Sequence, residues 1–308
     1  MFIKFGCAIC FFLSTAVCQI HNATPSKPIP YQYLGQNVMS KLDAWFHEHV
    51  QPLDRSNFTN QSASVVIMAY DRLPFVALIL DKLHVQRHVD LEVILVDDGS
   101  RPPLIKQLGS RRSFVSIYMW LPRSGYRKVR NINAAFRVAS RDKVIVLDDD
   151  VIPASNYWAA ALIRHWNLNK ECIIHGHTMI FSLNSEKDDP TISLAQFPGP
   201  GGNSAFSKFD PLSIGPLYFV TFNTLFEKSA WARIGGMDIA YDGFYGYEDI
   251  DMGNRVKKLN VCEKLCTYDC LTYHLGVYHL SKNNMSGGIG ALRNHAVYLK
   301  KWGKRFKN

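Results

Sequence analysis

Lys143–Pro153 reads KVIVLDDDVIP, a run of branched apolar residues that ends in three consecutive aspartates. Val144, Ile145, Val146 and Leu147 form an apolar run without alternation, the pattern of a short parallel strand covered on both faces. In open α/β sheets ligands bind beyond the carboxyl ends of the strands, so this pattern places Asp148, Asp149 and Asp150 at the edge of a binding crevice. Adjacent carboxylates repel one another, and a hard divalent cation with oxygen ligands neutralises such a set. A cation there points in turn to a phosphate-bearing ligand. Taken alone, an acidic triplet after a strand is also what an ordinary turn looks like, so its meaning rests on the rest of the chain.

Upstream the same texture repeats. Ser64–Ala69 (SVVIMA), Leu91–Val96 (LEVILV) and Phe114–Trp120 read as further strands, with helical stretches at Pro74–Leu83 and Lys128–Ser140. Short apolar strands alternating with helices are βαβ units, which predict an α/β fold with a mainly parallel, Rossmann-like sheet flanked by helices. The strand ending in LVDDGS contributes Asp97 and Asp98, so two acidic strand ends open on one crevice. The second half is less regular. Cys172–Phe181 alternates like one strand, Pro198–Gly202 marks a long loop, Leu217–Phe222 reads as a strand and Lys228–Ile234 as a short helix. A Gly- and aromatic-rich loop then leads through YGYEDID into another helix.

At 308 residues with 47% apolar content, the chain can bury the core of one large or two closely joined domains. Its net charge of +9 favours an anionic partner, whether nucleotide, polyanionic glycan or membrane surface. The basic residues are dispersed, and neither zinc-finger spacing, an aromatic RNA-binding signature nor a basic heptad helix is present, which argues against nucleic acid. Met1–Ile20 carries one early lysine and then FGCAICFFLSTAVC, with Ala16 and Cys18 placed for cleavage before Gln19. That is a secretory signal peptide or, uncleaved, a signal anchor, the only way this reading brings the chain to a membrane. Either places the remainder in a lumen or outside the cell, in the secretory pathway. The sequons at Asn22, Asn57, Asn60 and Asn284 agree with that compartment. Four cysteines follow the leader, Cys172, Cys262, Cys266 and Cys270; their spacing matches no usual zinc pattern, and two disulfides in any of three connectivities are expected. His21–Tyr33 reads as an exposed stem and Leu34–Val50 as a packed helix, so that 21–61 precede the fold proper.

The ordered set VVIMAYDR, LVDDGS, GYRKVRNINAAF, VIVLDDDVIP, FNTLFEKSAWARIGGMDIAYDGFYGYEDIDMGNRVKKL and LTYHLGVYH resembles the inverting GT-A glycosyltransferases over residues 62–285. The first half is similar to the large family that includes hyaluronan and chondroitin synthases. The second is similar to the β4-galactosyltransferase and chondroitin-synthase group. The resemblance implies a nucleotide-sugar half at 62–165, an acceptor-binding and catalytic half at 166–308, Mn²⁺ or Mg²⁺ as cofactor, a UDP-sugar donor and a glycan acceptor. It assigns Asp71 and Asp98 to the nucleotide, with Asp97 able to exchange with Asp98. Asp148 is assigned to the ribose and Asp150 to the metal, and Asp149 allows that register to slip by one. His274, with His279 as its rival, is the implied third metal ligand. Asp249 is the implied general base, and Glu248 a partner for the acceptor sugar. The resemblance also puts a cation near the base or diphosphate, at Arg127, Lys128 or Arg130; Lys128 reads as a solvated helix residue and Arg130 as the better candidate. Tyr245, Tyr247 and Trp231 are offered as stacking faces for sugars. His175 and His177 share a strand face without an adjacent acid and read as structural. Tyr247 departs from the Trp and Gly arrangement of the β4-galactosyltransferases, leaving the sugar open among galactose, N-acetylgalactosamine, N-acetylglucosamine, glucose and glucuronic acid. Two other classes fit clustered acids: a two-metal phosphohydrolase, and a glycan-binding protein on a transferase fold that has lost turnover.

Overall fold

The computed structural model describes residues 61–182, 193–195, 219–266, 268–274 and 289–303. The leader, the stem, the expected Leu34–Val50 helix, the Pro198–Gly202 loop, the asparagines of all four sequons and His279 lie outside the described residues. Among the described residues no helix is long and apolar enough to cross a membrane.

Strands β1 (Gln61–Ala69), β2 (Val89–Asp97), β3 (Ile117–Trp120) and β4 (Lys143–Asp148) alternate with helices α1 (Leu73–His84) and α2 (Lys128–Val138). Strand β5 (Val151–Pro153), helix α3 (Trp158–Leu168) and strands β6 (Ile173–Gly176), β7 (Thr178–Ser182) and β8 (Ser193–Ala195) follow. The chain continues through β9 (Thr224–Glu227), α4 (Lys228–Ile234), α5 (Glu248–Lys258), β10 (Glu263–Cys266), β11 (Thr272–His274) and α6 (Ile289–Trp302). Seven strands form one sheet in the order β10-β6-β9-β4-β1-β2-β3, parallel except at β9, which runs against both β4 and β6. The smaller sheet has the order β5-β11-β7-β8.

The strand period of two explains the unalternated apolar runs. Val65, Ile67, Ile145 and Leu147 pack on one face against α1 and α3, whereas Val66, Met68, Val144 and Val146 pack on the other against α2, α4 and α5. Both faces are covered, so each position in the run is apolar. Parallel pairing of β1 with β2 and β4 aligns their carboxyl ends, setting Ala69 beside Asp97 and Met68 beside Asp148. The acidic ends therefore meet at one edge. Pro74 opens α1 at its first turn, where the missing N–H costs nothing, and turns the chain back immediately after β1.

Several elements differ from the sequence reading. The third strand begins at Ile117, because Gly109–Phe114 closes into a 3-10 helix. Cys172–Phe181 is two strands in different sheets, broken at His177, whose backbone N–H bonds to the Cys266 carbonyl. Of the strand expected over Leu217–Phe222, Leu217 and Tyr218 lie outside the described residues, Phe219–Phe222 form no strand, and β9 begins at Thr224. Before it, Phe222 and Asn223 form a turn in which Asn223 takes a left-handed φ of 51°. Helices α3 and α6 had no sequence assignment. The four cysteines pair as Cys172–Cys262 and Cys266–Cys270, tying β6 to β10 and closing the short connection before β11.

Asn223 joins the two sheets. Its Nδ2 donates to the carbonyls of His177 (2.9 Å) and Cys270 (3.0 Å) and to Thr178 Oγ1 (3.2 Å), while its Oδ1 accepts from Trp158 Nε1 at 2.9 Å. The amide thus satisfies polar groups at the start of β7, before β11 and in α3, those of Cys270 and Trp158 in buried bonds. A Cβ at position 176 would collide with this side chain, so a glycine is required there. Asn223→Ala should cost about 3 kcal/mol, because it orphans several buried partners at once and leaves alanine in a left-handed conformation. Urea denaturation checks this, and a loss under about 0.5 kcal/mol would mean that the junction is not held this way.

Candidate active site

The turn after β4 carries the three aspartates in distinct environments. Asp149 is 8% exposed and accepts from the Tyr70 N–H at 3.0 Å, and Asp150 is 2% exposed. The guanidinium of Arg72, at the N-terminal boundary of α1, bonds Asp149 Oδ1 at 2.8 Å and Asp150 Oδ2 at 2.7 Å through Nη1. Burial opposes charge on Arg72, but the two aspartates outweigh it and raise its pKa. Asp149 is itself pushed up to about 6, by burial above all and by its neighbour Asp150, against the pull of Arg72. Asp148 is more open and meets Lys128 Nζ at 3.4 Å.

Lys128 bridges the two halves of the site. It lies at the start of α2, is 7% exposed, and its Nζ is also 3.4 Å from Asp249 Oδ2 on α5. Burial disfavours its charge, yet Asp148 and Asp249 hold its pKa well above the ordinary value. Asp249 Oδ1 accepts from Thr221 Oγ1 at 2.9 Å. Burial raises the Asp249 pKa, Lys128 and Thr221 pull it back, and Asp148 adds to the rise. This lysine is buried and paired where the sequence reading had it solvated. Arg130 occupies the other side of the helix, is 56% exposed at its side chain and pairs with Asp242 at 3.2 Å. Lys128, not Arg130, is the cation of α2 that reaches the acids.

Glu248 is 4% exposed, and its Oε2 is buried without a hydrogen-bond partner. Burial and the adjacent Asp249 raise its pKa to about 7, with Lys128 opposing. Tyr126 and Tyr245 stand nearby, edge to face at 5.3 Å, and after burial both feel the charges of Lys128 and Glu248. Tyr245 is 42% exposed and offers a ring face at the mouth. Trp231 does not: it is buried, stacked on Phe136 at 3.7 Å, and serves the core. Tyr247 is half-buried against His295 and Tyr298 of α6.

The two acids after β2 separate cleanly. Asp97 is fully buried; its Oδ1 accepts from the Ser100 N–H, and its Oδ2 from the Leu104 N–H and the Tyr118 hydroxyl. Both oxygens are committed to the turn. Asp98 accepts from Asn131 Nδ2 at 2.9 Å; burial raises its pKa while Asn131, Arg123 and Arg127 restrain it. Asp97 is thus spent on the turn, whereas Asp98 is bonded to α2 through Asn131. Arg123 lies over the Tyr70 ring at 3.2 Å. Asp71 is exposed, with a φ of 51°; its N–H donates to Ser100 Oγ and its Oδ1 accepts from the Arg101 N–H, which laces the ends of β1 and β2 together.

Strand β11 pairs antiparallel with β5, setting His274 beside Val151 directly after the acidic turn. Its Nε2 lies 3.3 Å from Asp150 Oδ1. Burial lowers the imidazole pKa, but Asp150 outweighs burial and the net shift is upward. Among the described residues no group of three or more His, Cys, Asp and Glu converges as a metal cage. The donor set fits a cation all the same: an oxygen and an imidazole nitrogen side by side suit Mn²⁺ or Mg²⁺ bound by few protein ligands, with water and phosphate completing the shell. His175 is taken up by Thr224 and Glu263, each at 3.1 Å, and burial lowers the His177 pKa; neither joins the acids.

Sequence reasoning missed Arg72 and Thr221 as members of the cluster. Both lie in loops whose approach to the acids depends on sheet order. Residues 64–227 match the family model described as Glycosyl transferase family 2, and residues 202–280 match the one described as N-terminal domain of galactosyltransferase. No curated protein matches the chain.

The Glu248 environment has a thermodynamic signature. Its folded pKa of about 7 lies above the ordinary 4.5, so its contribution is full below pH 4.5 and is lost as pH rises through 7, where the folded site must ionise unfavourably. Glu248→Gln should match the parent in stability near pH 4 and exceed it by roughly 1–3 kcal/mol at pH 8. An equal difference at both pH values would show that Glu248 is not held in this way.

Proposed function

The chain belongs to glycosyl transferase family 2, whose model covers over half of its 308 residues, and from that premise we propose a metal-dependent inverting transferase that uses UDP-sugars. It is a GT-A glycosyltransferase with a β4-galactosyltransferase-like second part, which sets aside the phosphohydrolase and the non-catalytic glycan binder. A nucleotide-sugar donor and a glycan acceptor follow from the family. The finer reading is ours: galactose, N-acetylgalactosamine, N-acetylglucosamine, glucose or glucuronic acid moves from UDP to a glycan hydroxyl. The leader, sequons and paired cysteines support a secretory-pathway setting.

The observation that carries the reading is the Lys128 bridge. One buried ammonium contacts both Asp148, at the strand end where nucleotides bind, and Asp249, on the helix that follows the aromatic loop. Donor and acceptor chemistry therefore share one locus. Asp98 and Asp148 hold the nucleoside, with Asp71 and Asp149 bracing the turn around it. Asp150 and His274 would hold the divalent cation, which supplies Lewis-acid relief of charge on the departing diphosphate. His279 remains the alternative ligand. Asp249, beside Lys128 and oriented by Thr221, takes the proton of the acceptor hydroxyl. The acceptor oxygen forms its bond to the anomeric carbon as the bond to the UDP oxygen breaks on the opposite face. Glu248 and the Tyr245 ring receive the acceptor sugar.

A panel of the five UDP-sugars with galactose- and N-acetylglucosamine-terminated glycans, read as UDP release, tests this. One donor should be turned over in the presence of Mn²⁺ and not after EDTA treatment, and His274→Ala should raise the Mn²⁺ concentration for half-activity by about tenfold or more. Asp249→Asn should lower acceptor-dependent release by about a thousandfold while UDP binding persists. Transfer within tenfold of the parent in that variant would remove Asp249 as the base.

A further inference from the structure

The acids of α5 follow a strained turn. Gly243 and Gly246 have φ of 90° and 93°, and Tyr247 has a φ of 69°, a left-handed conformation unfavourable for a bulky side chain. Tyr247 is also the residue from which α5 starts, so its conformation sets the direction in which Glu248 and Asp249 leave the turn. Such a turn persists only when its surroundings over-determine it.

The surroundings are supplied from two sides. On one, Gly243 and Tyr126 exchange backbone hydrogen bonds of 2.8 and 3.1 Å. On the other stands α6. Asn294 is fully buried, and its Nδ2 donates to the carbonyls of Gly246 (2.8 Å), Phe244 (3.0 Å) and Tyr241 (3.3 Å). His295 stacks on the Tyr247 ring at 5.0 Å and 19°. Arg293 bonds the Ala240 carbonyl at 2.6 Å and covers the Phe244 ring at 5.1 Å. The far end of the helix is fastened to α5 itself, where Lys301 and Trp302 reach the buried Asp251 at 2.8 and 2.9 Å and Tyr298 accepts from Asn254 at 2.7 Å. Helix α6 lies beyond both family matches, which end at residues 227 and 280.

We propose that α6 is a clamp on the acceptor side, with Asn294 and His295 as positioning residues that hold the turn at 241–247 and thereby aim Glu248 and Asp249. The bonds of Asn294 and the stacking of His295 touch none of β1, β2 and β4, on which the nucleotide side is built. The clamp consequently governs acceptor recognition separately from donor binding. The kinetic part rests on the Asp249 assignment above, while the mechanical part stands without it.

The test compares the full chain with Asn294→Leu, which keeps the bulk and removes the amide, and with His295→Ala, a milder change at a half-buried position. Amide exchange over 241–247 should accelerate at least tenfold in Asn294→Leu, with β1 and β4 unaffected, and in the same direction to a smaller extent in His295→Ala. UDP affinity in Mn²⁺ should stay within twofold of the parent, while KM for the acceptor glycan found in the panel rises at least fivefold. Unchanged loop exchange in both variants would overturn the proposal. So would parallel loss of UDP affinity and acceptor KM in both, since that marks general loosening. A parent that transfers to no acceptor counts against the Asp249 assignment, and the exchange result then decides the clamp alone.

Discussion

Mutual repulsion among carboxylates gathered at one sheet edge is the constraint around which this molecule is built. Asp148, Asp149 and Asp150 arrive from β4, and Glu248 and Asp249 from α5, all within a site that excludes much of the water that would screen them. Two cations answer them, Arg72 at the start of α1 and Lys128 at the start of α2. Helix N-termini disfavour positive charge, and neither helix has an acid in its first turn. These cations therefore serve the acids and not their own helices. Burial first, and the neighbouring carboxylates after it, leave Asp149, Asp249 and Glu248 with raised pKa values in spite of those cations.

The architecture follows from satisfying that edge. Parallel pairing aligns the acidic strand ends, β9 runs backward so that the turn with Thr221 and Asn223 comes near the cluster, and β11 returns to set His274 against Asp150. Two disulfides and the Asn223 amide fasten the return path. Helix α6 then packs along 241–247, where Gly243, Gly246 and Tyr247 all take positive φ, and Asn294 bonds the Gly246 carbonyl.

Much of this was legible in the sequence where local pattern and global role coincide. The unalternated KVIVL run announced a doubly covered strand, and its acidic terminus announced the crevice. Asp98, Asp148, Asp150, Asp249 and His274 all lie along the edge to which their motifs pointed. What failed depended on contacts distant in sequence. Lys128 reads as a solvated helix residue until Asp249, 121 positions away, is folded against it. Trp231 has the look of a sugar platform, but Phe136 covers it. The break at His177 has no turn residue other than Gly176, and the groups that take up its N–H and carbonyl, Cys266 and Asn223, are distant in sequence. Asp97 and Asp98 are alike in sequence and differ only through the groups that claim Asp97.

The central claim is that a single carboxylate, Asp249, deprotonates the acceptor on the face opposite the departing nucleotide. Proton NMR of the glycoside formed from an α-linked UDP-sugar tests it, because the new acetal keeps the anomeric configuration set in the transfer. A β-linked product, with the large axial–axial coupling at its anomeric proton, is the predicted result. An α-linked product would rule Asp249 out as the base of an inverting displacement, because retention requires chemistry on the donor face that Asp249 does not provide.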